Sequence, residues 1–228
     1  MRPRVKSFFS EIPEIALARG GARSKNGAPM DSLPVKKFSF PPAVAAGARV
    51  LILGSLPGEA SLARGQYYAF PRKAFWKIAG TLCGFSPEAD YAARVAALNR
   101  AGVGLWDVVG AGTRPGSLDS AIRDVEPNDV PALLAAFPEI RKIVCNGGAA
   151  FRLLKRHHPR LFAVPALEIL CAPSTSPAAA RLSFDEKLAR WREALSGALT
   201  PRLRVPADAR AARRRSVRGL GPRPRRPD

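Results

Sequence analysis

A chain of 228 residues with 46% hydrophobic content is long enough to bury one full core, and its formal net charge of +19 points toward polyanionic partners such as nucleic acid. No apolar run is long enough to span a bilayer as a helix, so a membrane-spanning helical protein is excluded and a soluble, monomeric chain is expected. The three cysteines Cys83, Cys145 and Cys171 form no Cys-x-x-Cys pair, which excludes a zinc ribbon or a four-thiolate iron–sulfur cluster built from them.

Residues 1–29 read as a flexible extension, because basic residues and glycines surround one short apolar stretch, Ile12 to Leu17; Met30 is an alternative start. The compact domain is placed at 30–197. Its most informative stretch is Arg49-Val-Leu-Ile-Leu-Gly54-Ser55-Leu56-Pro57-Gly58, an apolar strand ending in a loop of small residues and turn formers. Such loops present backbone N–H groups beyond the C-terminal ends of parallel strands, where ligands collect.

Further strands are predicted near 103–108, 141–146 and 167–172, and helices over 75–83, 89–100, 130–137, 148–157 and 183–196. Strands alternating with helices of this length predict an α/β fold, a three-layer α/β/α sandwich around a central, mostly parallel four-stranded sheet. Cys145 and Cys171 fall at apolar strand ends, where buried structural thiols are expected. An odd cysteine count with no signal peptide suits a reducing cytoplasm, or a nucleoid-associated protein in a bacterium. Residues 198–228 read as a disordered basic tail, which from Pro201 onward holds ten arginines against two aspartates, a net +8. A solvated extension and a DNA-binding arm are equally compatible with that tail.

Between the first and last strands lies an aromatic run, Tyr67-Tyr68-Ala69-Phe70-Pro71-Arg72-Lys73-Ala74-Phe75-Trp76, and the last strand leads into Ala172-Pro173-Ser174-Thr175-Ser176-Pro177. These three runs, in this order, resemble the uracil-DNA glycosylase superfamily, closest to its hypoxanthine-DNA glycosylase branch and more distantly to the mismatch-specific branch. The resemblance covers about residues 49–195 and extends to Gly104-Leu-Trp-Asp-Val108 and Gly116-Ser-Leu-Asp-Ser-Ala-Ile122. It implies a DNA repair enzyme that extrudes a deaminated base, uracil or hypoxanthine, and hydrolyses its N-glycosidic bond with neither metal nor organic cofactor. DNA containing such a base is the implied partner.

Hydrolysis places positive charge on the sugar and negative charge on the departing base, so preorganised N–H dipoles near that base are the expected catalytic device. Gly54, Leu56, Pro57 and Gly58 are expected to shape the base site, and Ser55 to orient a water or bond the base; a turn or helix-capping serine is the plainer role for Ser55. Tyr68 or Phe70 is expected to stack on the base, while Phe75 and Trp76 belong to the core. Asp107 is the carboxylate placed to hold a water or accept a base N–H, with capping or pairing to Arg114 as the alternative. Asn146 stands where it could read a base edge, although Asn-Gly-Gly is also a turn sequence. In the second motif Ser174, Thr175 and Ser176 are expected on phosphate, and Arg181 in the vacancy left by extrusion. His157 and His158 receive no catalytic role.

The chain departs from the pattern at four points. Lys73 stands where both branches carry an asparagine, implicated in catalysis in the hypoxanthine branch, Phe70 where the family has histidine, Leu56 where the mismatch-specific branch holds its water with asparagine, and Ala172 where other branches place histidine. Lys73 has three roles open to it, ranked as an electrostatic or phosphate contact, a solvated surface lysine, and a neutral amine acting as nucleophile. The departures keep a second function in view, a catalytically weak protein that senses damaged or abasic DNA.

Overall fold

In the computed structural model the described residues are 35–199. In chain order they form β1 (Lys36–Phe38), β2 (Val50–Gly54), α1 (Glu59–Arg64), α2 (Phe75–Cys83), α3 (Tyr91–Arg100), β3 (Val103–Asp107) and β4 (Val109–Thr113). There follow β5 (Arg123–Pro127), α4 (Val130–Ala136), β6 (Lys142–Asn146), α5 (Gly148–His157), β7 (Glu168–Ala172) and α6 (Phe184–Ala194), with short 3-10 turns at Asp119–Ala121 and Pro159–Ala163. The terminal extension and the arginine-rich tail lie outside the described residues.

The central sheet has four parallel strands in the order β3-β2-β6-β7. Its middle strand β2 is buried along its whole length, as an unbroken apolar run requires when both faces are covered. Successive side chains point to opposite faces. Val50 and Ile52 therefore join Phe75, Trp76, Ile78, Leu98 and Trp191 from α2, α3 and α6, while Leu51 and Leu53 join Val130, Leu133, Ala150 and Leu154 from α4 and α5. The result is the expected three-layer α/β/α sandwich. The chain leaves β2 for β3 on one side and later places β6 on the other, so the loops after these strands diverge from a topological switch point.

A second sheet was not foreseen from the sequence. Strands β1, β4 and β5 pair antiparallel in the order β1-β4-β5, with β4 following directly on β3 in the chain. This sheet carries Arg114 and the turn at Asp119–Ala121 toward the C-terminal end of the parallel sheet. Cys171 also differs from expectation. It is exposed rather than buried, because β7 is the edge strand of the sheet, whereas Cys145 on the inner strand β6 is fully buried and its thiol is pushed up to about 12 by that burial.

Candidate active site

The loop after β2 is fixed through its carbonyls. The oxygens of Gly54 and Ser55 accept from the N–H groups of Val108 and Val109 at 2.9 and 3.0 Å, and that of Gly58 accepts from Ser61 and Leu62 at the start of α1. The Leu56 and Pro57 oxygens accept from the guanidinium of Arg114, the former at 3.2 Å. Arg114 is only 1% exposed in its side chain, and it also meets Asp119 at 3.3 Å. With every carbonyl from Gly54 to Gly58 turned into the protein, the N–H groups of Ser55, Leu56 and Gly58 donate to no acceptor among the described residues. Donors held this way are preorganised for a ligand that carries negative charge. Ser55 is not a helix cap, since Gly58 occupies that position for α1; its hydroxyl donates to Asp119 at 2.7 Å.

Asp107 ends β3 as the register partner of Gly54. A Cβ on Gly54 would strike Asp107 Oδ1, so the glycine is what admits the carboxylate beside the loop. Ser39 Oγ donates to Oδ2 at 2.9 Å. Only 4% of Asp107 is exposed, and burial raises its pKa from 3.8 to about 7, against the hydrogen bond from Ser39 and the charge of Lys73, which lower it. Asp107 neither caps a turn through its side chain nor pairs with Arg114, which is held by Asp119 and the loop.

The aromatic segment is pinned at both ends. Tyr67 accepts through its carbonyl from Trp76 Nε1 at 3.1 Å, and Ala74 donates its N–H to the carbonyl of Thr175 at 3.0 Å. Tyr68 is held in the left-handed region at φ 56°, an uncommon conformation for an aromatic residue. Its ring stacks on Phe75, with centroids 3.8 Å apart and planes 22° off parallel. Among the described residues the buried Tyr68 hydroxyl has no partner at hydrogen-bond geometry; burial together with the charge of Asp107 holds the phenol well above its ordinary pKa, and the Asn146 side chain opposes that rise. Phe70 is half-buried on the cavity wall, with the Arg72 guanidinium 5.4 Å from its centroid. Lys73 also lines the cavity, its Nζ 5.6 Å from the Tyr68 centroid, and burial lowers its pKa while Asp119 and Asp107 oppose that shift.

The second motif packs against β6. Asn146 Nδ2 donates to Thr175 Oγ1 and Asn146 Oδ1 accepts from the Thr175 N–H, both at 2.9 Å. Gly147, at φ 96°, leaves room for Ser174, whose Cβ would lie 2.8 Å from any Cβ placed there. On the opposite side Trp191 of α6 donates to the Pro173 carbonyl at 2.9 Å.

These elements enclose a cavity of about 410 Å³. Gly54, Ser55, Leu56, Pro57, Gly58, Tyr68, Phe70, Lys73, Asp107, Asn146, Ser174, Thr175 and Ser176 all line it, whereas Arg181 is exposed and does not. One expectation changes in kind. Thr175, only 2% exposed and committed to Asn146, ties the motif to β6 instead of reaching for phosphate. Asn146 binds Thr175 through one amide N–H and Oδ1 while lining the cavity, which leaves its second N–H and second lone pair uncommitted to Thr175. Ser174 and Ser176 accept from local N–H groups and remain half-buried at the rim. Ser39 and Asp119 escaped sequence reasoning. Asp119 lies inside the segment 116–122 that carried part of the resemblance, which could have flagged it; Ser39 lies ten residues before the first motif and gave no local signal. Among the described residues no cluster of three or more His, Cys, Asp or Glu is arranged to hold a metal ion.

A family model, that of the uracil DNA glycosylase superfamily, matches residues 41–195. A hypoxanthine DNA glycosylase of Methanosarcina barkeri is 40% identical over 114 residues, which span 50% of this chain and 72% of that protein. A hypoxanthine DNA glycosylase of Methanosarcina acetivorans is 36% identical over 152 residues, spanning 66% of this chain and 93% of that protein. Among solved structures, a solution NMR structure from M. acetivorans, described as a candidate uracil DNA glycosylase, superposes with a TM-score of 0.59 at 35% identity, covering 70% of this chain and 98% of the other.

Proposed function

Because the chain belongs to the uracil DNA glycosylase superfamily, we propose that it is a DNA glycosylase that removes a deaminated base, hypoxanthine before uracil, and leaves an abasic site. The observation that carries this reading is the loop from Gly54 to Gly58, whose carbonyls are all engaged by the protein while its N–H groups are kept for a ligand beside a buried carboxylate. A base within a duplex is out of reach of such a recess, so the nucleotide must be extruded into it.

In the proposed complex the base lies against Phe70, whose ring makes no stacking contact with another ring among the described residues; Tyr68 is already stacked on Phe75 and serves as a wall. The loop N–H groups face the base and stabilise the negative charge that grows on it as the glycosidic bond breaks, an effect worth about 10²–10³ in rate per well-placed donor in other enzymes. Asp107, ionised above pH 7 or so, holds the attacking water and receives its proton. Lys73 adds positive charge at the cavity wall and favours the anionic leaving base.

Duplex oligonucleotides carrying one deoxyinosine, one deoxyuridine or no modified base provide the test. Alkali-labile sites should form at deoxyinosine, more slowly at deoxyuridine, and not in the control. Tight binding to the modified duplexes without strand scission would identify a damage-sensing protein instead.

A further inference from the structure

We propose that Lys73 condenses with the abasic sugar left after base release, giving the protein a second activity as an abasic-site lyase; the inference rests on the glycosylase reading for its substrate. Lys73 is the one lysine among the residues lining the cavity. Its Nζ makes no hydrogen bond or ion pair among the described residues, and its close contact is the face of Tyr68 at 5.6 Å. The contrast with Lys37 is direct: that amine, similarly near the first loop in the fold, is fastened to Glu59 and to the Gly116 carbonyl at 2.8 Å. Lys36 and Lys142 are likewise paired, with Glu126 and Glu168 at 2.6 and 2.9 Å. Among the described residues, only Lys73 offers an unfastened amine on the wall of the recess that would receive the nucleotide.

Burial lowers the pKa of Lys73, so a larger share of this amine is neutral than of a surface lysine. A neutral amine is the nucleophile that imine chemistry needs. Once the base has gone, the ring-opened sugar presents an aldehyde at C1′. The Nζ lone pair adds to that carbon, the nitrogen loses two protons, and the carbonyl oxygen departs as water, leaving a C=N bond. Loss of the C2′ proton to water then drives the electron pair of the C3′–O bond onto the 3′-phosphate, which breaks the strand. A second water hydrolyses the unsaturated imine and returns the free amine.

Duplex DNA with a preformed abasic site, incubated with the full chain and borohydride, reads this chemistry without requiring base release. The expected result is a covalent adduct, mapped by peptide mass to Lys73, together with strand nicking without alkali. Lys73→Arg, which keeps the charge and removes the nucleophile, should lower both by roughly 100-fold. An alditol abasic site, which has no aldehyde, should give no adduct. Absence of an adduct above that control, or an adduct on another amine with undiminished yield in Lys73→Arg, overturns the proposal. Peptide mapping on the unmodified protein keeps the answer readable even if the variant folds poorly, and failure here leaves the base-release reading intact.

Discussion

Gly54 and Asp107 end two neighbouring parallel strands as register partners, and the missing Cβ of the first is the space occupied by the carboxylate of the second. Gly54→Ala should therefore displace the carboxylate by a distance comparable with a C–C bond. Base release is expected to fall by about 10²-fold while duplex binding holds, since displacements of this size carry such rate penalties. Single-turnover cleavage beside a gel-shift titration checks it; equal losses in both would point to general misfolding.

The pH dependence of stability follows from the same carboxylate. Burial raises Asp107 from 3.8 to about 7, so between these values the folded protein keeps a proton that the unfolded chain releases. Stability from this group is therefore lost as pH climbs through that window and levels off above it. Asp107→Asn removes the penalty, and thermal melts at pH 8 should show the variant more stable by up to about 4 kcal/mol, the difference closing near pH 4. A constant difference across that range would show that Asp107 does not titrate there.

Arg114 holds two loop carbonyls and Asp119 from a position almost fully removed from water. Arg114→Met leaves those oxygens without donors in a buried setting, and a loss of about 2–4 kcal/mol is expected in denaturant unfolding. Catalysis should suffer through the loop: kcat is predicted to fall more than KM rises, because the N–H groups that face the base lose their fixed aim.

Phe70 offers the base a ring face without the hydroxyl and prior stacking partner of Tyr68. Truncation to alanine should weaken binding of a modified duplex by about 1–3 kcal/mol, the usual worth of one base–aromatic stack, and Phe70→Trp should restore most of it. No change on truncation would move the stacking role elsewhere on the wall.

The parallel sheet was legible because its signals are local. The run 50–53 is apolar without interruption, and the predicted bounds of α2 and α5 coincide with the observed helices. The antiparallel sheet was not legible, since β4 alternates with Gly110 and Gly112, β5 is charged and mostly exposed, and the three-residue β1 depends on β4, a partner distant in sequence. The site divides in the same way. Its loop, aromatic segment and second motif were visible as runs of residues, whereas the bond from Ser39 to Asp107 joins positions 68 residues apart. Thr175 was drawn toward the DNA by the resemblance, but it is buried and bonded to Asn146, joining one loop to another. Residue type shows that a group can bond; only the fold shows whether another part of the chain has already claimed it.

The role of the buried carboxylate is tested by single-turnover release of hypoxanthine from a deoxyinosine duplex at pH 8, compared between the unaltered chain and Asp107→Asn. Release by the former and a loss of roughly 10²-fold or more in the latter are expected, with duplex affinity unchanged. No release by the unaltered chain, or equal rates in the two proteins, would contradict that role.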